Sequence, residues 1–303
     1  MRQLYITSIM MAALLMAACG HRVSQGSTAD TDSVSVDSTA AFRTDSIGLV
    51  QDDSMASVKV SIDWPVSGND SMVNAIRQYI CEELATQPYG EGKPEVKHYA
   101  DGKTAVTTIL KTHYDELSNL WKEARDEGMP TDMPYSYSIH VFKTDEGERY
   151  VTYLSNSEGF MGGAHGFAIS TGITFDKANG QRIGYNTEYN EATERIEIKD
   201  QTMFANDKDP KLHAIIKEGV KKYFQEFDTK PMTDEELRDQ LLNIEDVNSI
   251  PLPSTPPIFT SKGLCFTYQQ YDIAPYAAGM PNFLVPYEQI RPLLTPEAAR
   301  LIP

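Results

Sequence analysis

The chain has 303 residues, enough for one large domain or two ordinary ones. Hydrophobic residues make up 41% and charged residues 23%, which excludes a globally disordered chain. Asp+Glu 43 against Lys+Arg 27 leaves a net charge of −16, a surface that repels phosphate and excludes a nucleic-acid partner.

Residues 1–18 read as a signal peptide, with Arg2 ahead of a short apolar stretch. The run Leu15-Met16-Ala17-Ala18-Cys19 resembles the bacterial lipobox, in which cleavage leaves a lipidated cysteine as the first mature residue. Cys19 is therefore the expected lipid-bearing residue, and acyl chains at about 0.8 kcal/mol per buried methylene hold such a chain to a membrane. By resemblance to Gram-negative sorting rules, Gly20 in place of Asp implies the outer membrane, and the lack of an acid before Asp30 implies its periplasmic face. Residues 19–57 are rich in Ser, Thr and Asp without apolar periodicity, the pattern of a flexible linker.

The folded body is expected from Val58. Val58, Val60 and Ile62 alternate with Lys59, Ser61 and Asp63, a strand signal ending at Trp64-Pro65. Asn69 or Asp70 caps a helix to about 86, with Met72, Ile76, Tyr79 and Ile80 on one face. A longer helix over about 104–127 carries Val106, Ile109, Leu110, Leu117, Leu120, Trp121 and Ala124. Residues 135–143 and 149–157 then alternate about an Asp145-Glu146-Gly147-Glu148 turn, a hairpin, and 166–176 is a third strand turning into 181–185. Asp209-Pro210 opens a helix over 211–227, and Thr233 with Glu236 forms a capping box over 234–242. A proline-rich loop leads to a last strand pair, and Pro286 starts a short helix. The sum is an α+β fold, an antiparallel sheet with amphipathic helices on one face, in two sub-domains, 58–133 and 134–303.

Candidate chemistry is sparse. No two of the six histidines sit at a zinc-binding spacing, and no metal or cofactor is expected. His113 falls on the apolar face of its helix and reads as packed. Cys81 and Cys265, each set off the apolar face of its element, form a candidate disulfide in an oxidising envelope, with isolated thiols as the alternative. The acids at 226, 228, 234–236, 239, 245 and 246 read as a solvated face. Thr174-Phe175-Asp176-Lys177 is similar to the Thr-Phe-Asp-Asp start of polysaccharide deacetylases, but Lys177 and the missing metal-binding histidines remove that activity. His165, within Gly162-Gly163-Ala164-His165-Gly166, is the one histidine in a setting made for close approach.

Gly162-Gly163-Ala164-His165, leading into Ile173-Thr174-Phe175-Asp176, and Tyr271-Asp272-Ile273-Ala274-Pro275-Tyr276-Ala277-Ala278-Gly279, followed by Val285-Pro286-Tyr287, carry a family likeness. With Asp63-Trp64-Pro65 they resemble the RsiV-type extracytoplasmic domain of lysozyme-binding anti-sigma factors, which also precedes the deacetylase PdaC. The resemblance implies an α+β fold in two halves and recognition of a cationic, lysozyme-like protein, with peptidoglycan as the other ligand and no catalysis. Its candidate binding residues here are Gly162, Gly163, His165, Tyr271, Pro275, Tyr276 and Gly279. Alternatives are a cell-wall hydrolase using His165 or acidic residues, and an accessory subunit of an envelope complex.

Overall fold

In the computed structural model, residues 41–86, 95–191, 195–225 and 230–303 are described. Cys19 and the leader lie outside the described residues, as do Glu226, Phe227 and Asp228. Alternation in β2 (Ala56–Ser67) buries Val58, Val60, Ile62 and Trp64 on one face. Its neighbours are β1 (Arg43–Asp52) and β3 (Tyr135–Glu146), followed by β4 (Tyr150–Phe160), β5 (Phe167–Asp176) and the two-residue β6 (Arg182–Ile183), in the sheet order β1-β2-β3-β4-β5-β6.

Two helices cover one face of this sheet. In α1 (Asp70–Ala85) the Asn69 side chain accepts from Met72 N at 3.2 Å, and Met72, Ile76, Tyr79 and Ile80 are buried as their spacing predicts. In α2 (Gly102–Asp126) Asp101 supplies the cap, accepting from Thr104 N at 2.8 Å. The expected stripe is buried except Leu120, at the stripe's rim and 36% exposed.

The expected antiparallel sheet contains one parallel pair, β2 with β3, registered from Ala56↔Tyr135 to Ile62↔Val141. Parallel strands need a long crossover, and α1 with α2 is that crossover. Residues 58–133 are therefore half of a layer that β3, β4 and β5 complete, and the sheet runs straight through the boundary expected at 133/134. The division lies between two cores on opposite faces of the sheet. One holds Val60, Ile76, Leu117, Tyr153 and Phe175; the other holds Phe204, Leu212, Phe259, Phe266 and Ile290.

A second correction concerns the linker. β1 pairs antiparallel with β2 from Arg43↔Ser67 to Asp52↔Ser57, around a turn where Asp53 accepts from Met55 N at 2.8 Å and Ala56 N at 3.0 Å. The first strand begins at Arg43, inside the span expected to be linker. Most of β1 is exposed, so its residues show none of the apolar alternation that marks a half-buried strand.

Beyond Asp176 the chain crosses to the other face. A hairpin that its polar sequence conceals, β7 (Asn186–Asn190) with β8 (Arg195–Lys199), leads to α3 (Pro210–Phe224), capped by Asp209, and to α4 (Asp234–Gln240), whose Thr233–Glu236 capping box is present. The expected last strand pair is a three-stranded sheet, β11-β10-β9, made of β9 (Ile258–Thr260), β10 (Gly263–Thr267) and β11 (Asn282–Val285). A buried hydroxyl relay fixes it to the large sheet. Phe259 N donates to Thr174 Oγ1 at 3.0 Å, Thr174 pairs with Thr152 at 3.0 Å, and Thr152 donates to the Phe259 carbonyl at 2.8 Å. Each hydroxyl and backbone group in this relay has a partner, which offsets the cost of burying them.

Both cysteines are buried, against the expectation that they sit off the apolar faces, and no disulfide joins them. Cys81 belongs to the helix-side core, beside the partly buried Tyr99. Cys265 opposes Ile258 and Leu284 in the small sheet, and Ile258 approaches the large sheet so closely that a Cβ on Gly172 would lie 2.6 Å from it. The face that reads as polar in β10 is thus covered by a second layer. Among the described residues, no helix is long and apolar enough to cross a membrane.

Candidate functional site

The two motifs meet in space. The first is the β4–β5 turn, where Gly162 (φ +84°) and Gly163 (φ +86°) take consecutive left-handed conformations that side chains other than glycine's resist. Gly166 closes the turn, since a Cβ there would lie 2.4 Å from the Gly159 carbonyl. This geometry places His165 at the exposed tip. Its Nδ1–H donates to the Gly166 carbonyl at 2.8 Å.

The second motif is the loop between β10 and β11, closed at its base by Tyr268 N donating to the Pro281 carbonyl at 2.8 Å. Buried Ile273 and Ala274 anchor it in the second core. Asp272 holds its start, accepting from Gln269 N at 2.9 Å and Ser254 Oγ at 2.8 Å. At its far end Gly279 (φ +72°) turns the chain, and Tyr223 OH donates to the Ala278 carbonyl at 2.6 Å. The segment is therefore pinned before, within and after its apex, while Pro275 and Tyr271 stay exposed.

Between the motifs runs a short aromatic series. The His165 and Tyr276 rings stack at 4.0 Å with 23° between their planes, and Tyr276 lies 6.0 Å from Tyr271. Tyr271 is 56% exposed and holds φ +68°, a left-handed conformation that costs a bulky residue about 1–3 kcal/mol. The result is a rigid, largely preformed apolar surface with one imidazole nitrogen on it. Such a surface suits recognition of a partner face or a sugar ring.

All seven residues marked in the sequence lie on these two loops. Sequence reasoning missed the residues that join the loops to the sheet. Gln269 accepts from Ser170 N at 2.9 Å and donates to the Ser170 carbonyl at 2.6 Å, so its amide stands in for a neighbouring strand along β5. Gln270 accepts from Ala168 N at 3.2 Å in the same manner. Their only signal is position, directly ahead of the Tyr271 motif.

Other marked groups have structural roles. His113 is buried in α2 with its ring 4.6 Å from that of Tyr137, and burial holds it down to about 4. In the acidic run, Asp234 pairs with Lys217 at 3.2 Å and with Lys221, Glu236 completes its capping box, and Asp246 caps the turn at Val247–Ser249. No group of three or more His, Cys, Asp or Glu among the described residues is arranged to hold a metal ion.

Residues 201–288 match the family described as "Protein of unknown function (DUF3298)". No curated protein matches the chain. Among solved structures, a member of the DUF3298 family from Bacteroides fragilis NCTC 9343 superposes with a TM-score of 0.60 at 19% identity, covering 86% of this chain and 96% of that one. A DUF3298 family protein from Pseudomonas aeruginosa PAO1 superposes at 0.50 with 13% identity, covering 87% and 96%. At these identities the likeness is one of fold. The matched domain contains the Tyr271–Gly279 arm of the site, whereas the His165 arm is supplied by the large sheet upstream of it.

Proposed function

We propose that this chain is a lipid-anchored binding module of the cell envelope, of the RsiV type, that presents the His165–Tyr276–Tyr271 surface to a cationic, lysozyme-like protein and carries out no catalysis. The observation that carries this reading is the rigid stack of His165 on Tyr276 beside an exposed, strained Tyr271. Strain held at an exposed aromatic by a fully braced loop is the pattern of a pre-organised contact surface. The net charge of −16 supplies long-range attraction for a basic partner. Lipidation at Cys19 would place this surface at the periplasmic face of the outer membrane, with the residues ahead of Arg43 as its tether. Peptidoglycan is the second reading, favoured by the stacked ring pair.

Titration of the full chain with a lysozyme-type protein tests the proposal. Binding is expected to weaken as salt rises and to weaken 10- to 100-fold in Tyr276→Ala, the range of a central aromatic contact. Salt-insensitive binding of peptidoglycan fragments, lost in the same variant, would favour the glycan. Turnover of peptidoglycan that His165→Ala abolishes in a folded protein would replace both readings with a hydrolase.

A further inference from the structure

The other edge of the large sheet is built for pairing. β1 is the terminal strand and is ten residues long, with Leu49 39% and Val50 62% exposed. It is also held rigid. Ile47 packs beneath α2 so closely that a Cβ on Gly102 would lie 2.7 Å from its Cδ1 and 2.8 Å from Trp64. A long, ordered edge strand with exposed apolar side chains is a template for another strand.

We propose that β1 pairs antiparallel with β1 of a second copy of this chain, forming a two-fold dimer through a continuous sheet. Residues directly opposed in a sheet share a face, so a two-fold axis must pass through a single residue position. With the axis at Gly48, Ile47 faces Leu49 of the second copy twice by symmetry, and Arg43 comes opposite Asp53, in the turn one residue past the end of β1. Asp45 then faces Gln51 and Asp52 faces Thr44, so no like charges meet. An axis at Ile47 sets Asp45 against Leu49, and an axis at Leu49 sets Asp45 against Asp53. Apolar and opposite-charge pairs favour the Gly48 register, and like-charge opposition disfavours the last. A single strand pair buries less than the roughly 1,200–2,000 Å² of a stable complex, so the dimer dissociates on dilution.

The test uses the full chain in detergent micelles. Directly opposed positions lie within disulfide range, about 5 Å between Cα atoms. The Gly48 register opposes residue 46 to residue 50 of the second copy and separates like positions by about 14 Å. The double variant Ser46→Cys/Val50→Cys is therefore expected to form an oxidised dimer, while each single variant is not. Leu49→Lys is expected to weaken association, read by sedimentation, at least about tenfold with the circular dichroism unchanged. A monomer at every concentration with no crosslink in the double variant would overturn the proposal. So would crosslinking of the single variants as readily as the double, or a dimer indifferent to Leu49→Lys.

Discussion

The two edges of the six-stranded sheet meet solvent in different ways. At β5 the outward backbone groups are taken by side chains from the second layer, Ser170 by both ends of the Gln269 amide and Ala168 by Gln270. At β1 no described residue performs this service. The closed edge carries the aromatic loops, and the open edge is a bare strand. A sheet edge can thus be protected by two amide side chains as well as by a strand, and the protecting loop gains a rigid base from which to display Tyr271 and Tyr276.

Changes at the turn should damage the closed edge most. Gly166→Ala forces a Cβ against the Gly159 carbonyl and is expected to cost about 3 kcal/mol or more, measured by denaturant unfolding, with loss of partner binding. Acid should act on the layer beneath both edges and favour neither. Burial holds His113 down to about 4 against its ordinary 6.5, so below about pH 6.5 the unfolded chain takes up the proton first. Stability contributed by this residue is complete above about pH 6.5 and falls by about 2–3 kcal/mol as the pH drops towards 4. In His113→Phe thermal melts across that range should lose this share of the acid sensitivity.

Gln269→Ala addresses the comparison itself. It strips Ser170 of its stand-in neighbour and is expected to cost about 1–1.5 kcal/mol and to speed amide exchange at Ser170. If the amide is what closes this edge, the variant should also self-associate more than the parent. The smallest effect is a gain. Tyr271→Gly relieves the left-handed backbone and should raise stability by about 1 kcal/mol while weakening partner binding, which separates a strained display residue from a structural one.

Much of the architecture was legible in the residues because the helices obey local rules. Asn69, Asp209 and the Thr233–Glu236 box cap the helices they were expected to open, and the Met72, Ile76, Tyr79 and Ile80 stripe behind Asn69 is buried. The strand β1 was not legible, because a strand that is mostly exposed loses the period that identifies strands. Nor was the burial of Cys265, since β10 alone gives no sign that a second sheet covers its polar-looking face. At the site, the glycine pair and the Tyr271–Gly279 run were visible as chemistry. The stacking of His165 on Tyr276 was not, because it depends on Gln269 and Gln270 docking one loop on a strand about a hundred positions earlier in the chain.

Hydrogen exchange of the full chain, alone and with a saturating lysozyme-type protein, tests the binding surface most directly. The account predicts slowed exchange concentrated at residues 161–167 and 269–279, with the sheet beneath unchanged. A complex that leaves both loops as fast as in the isolated chain, or no complex at low salt, would contradict it.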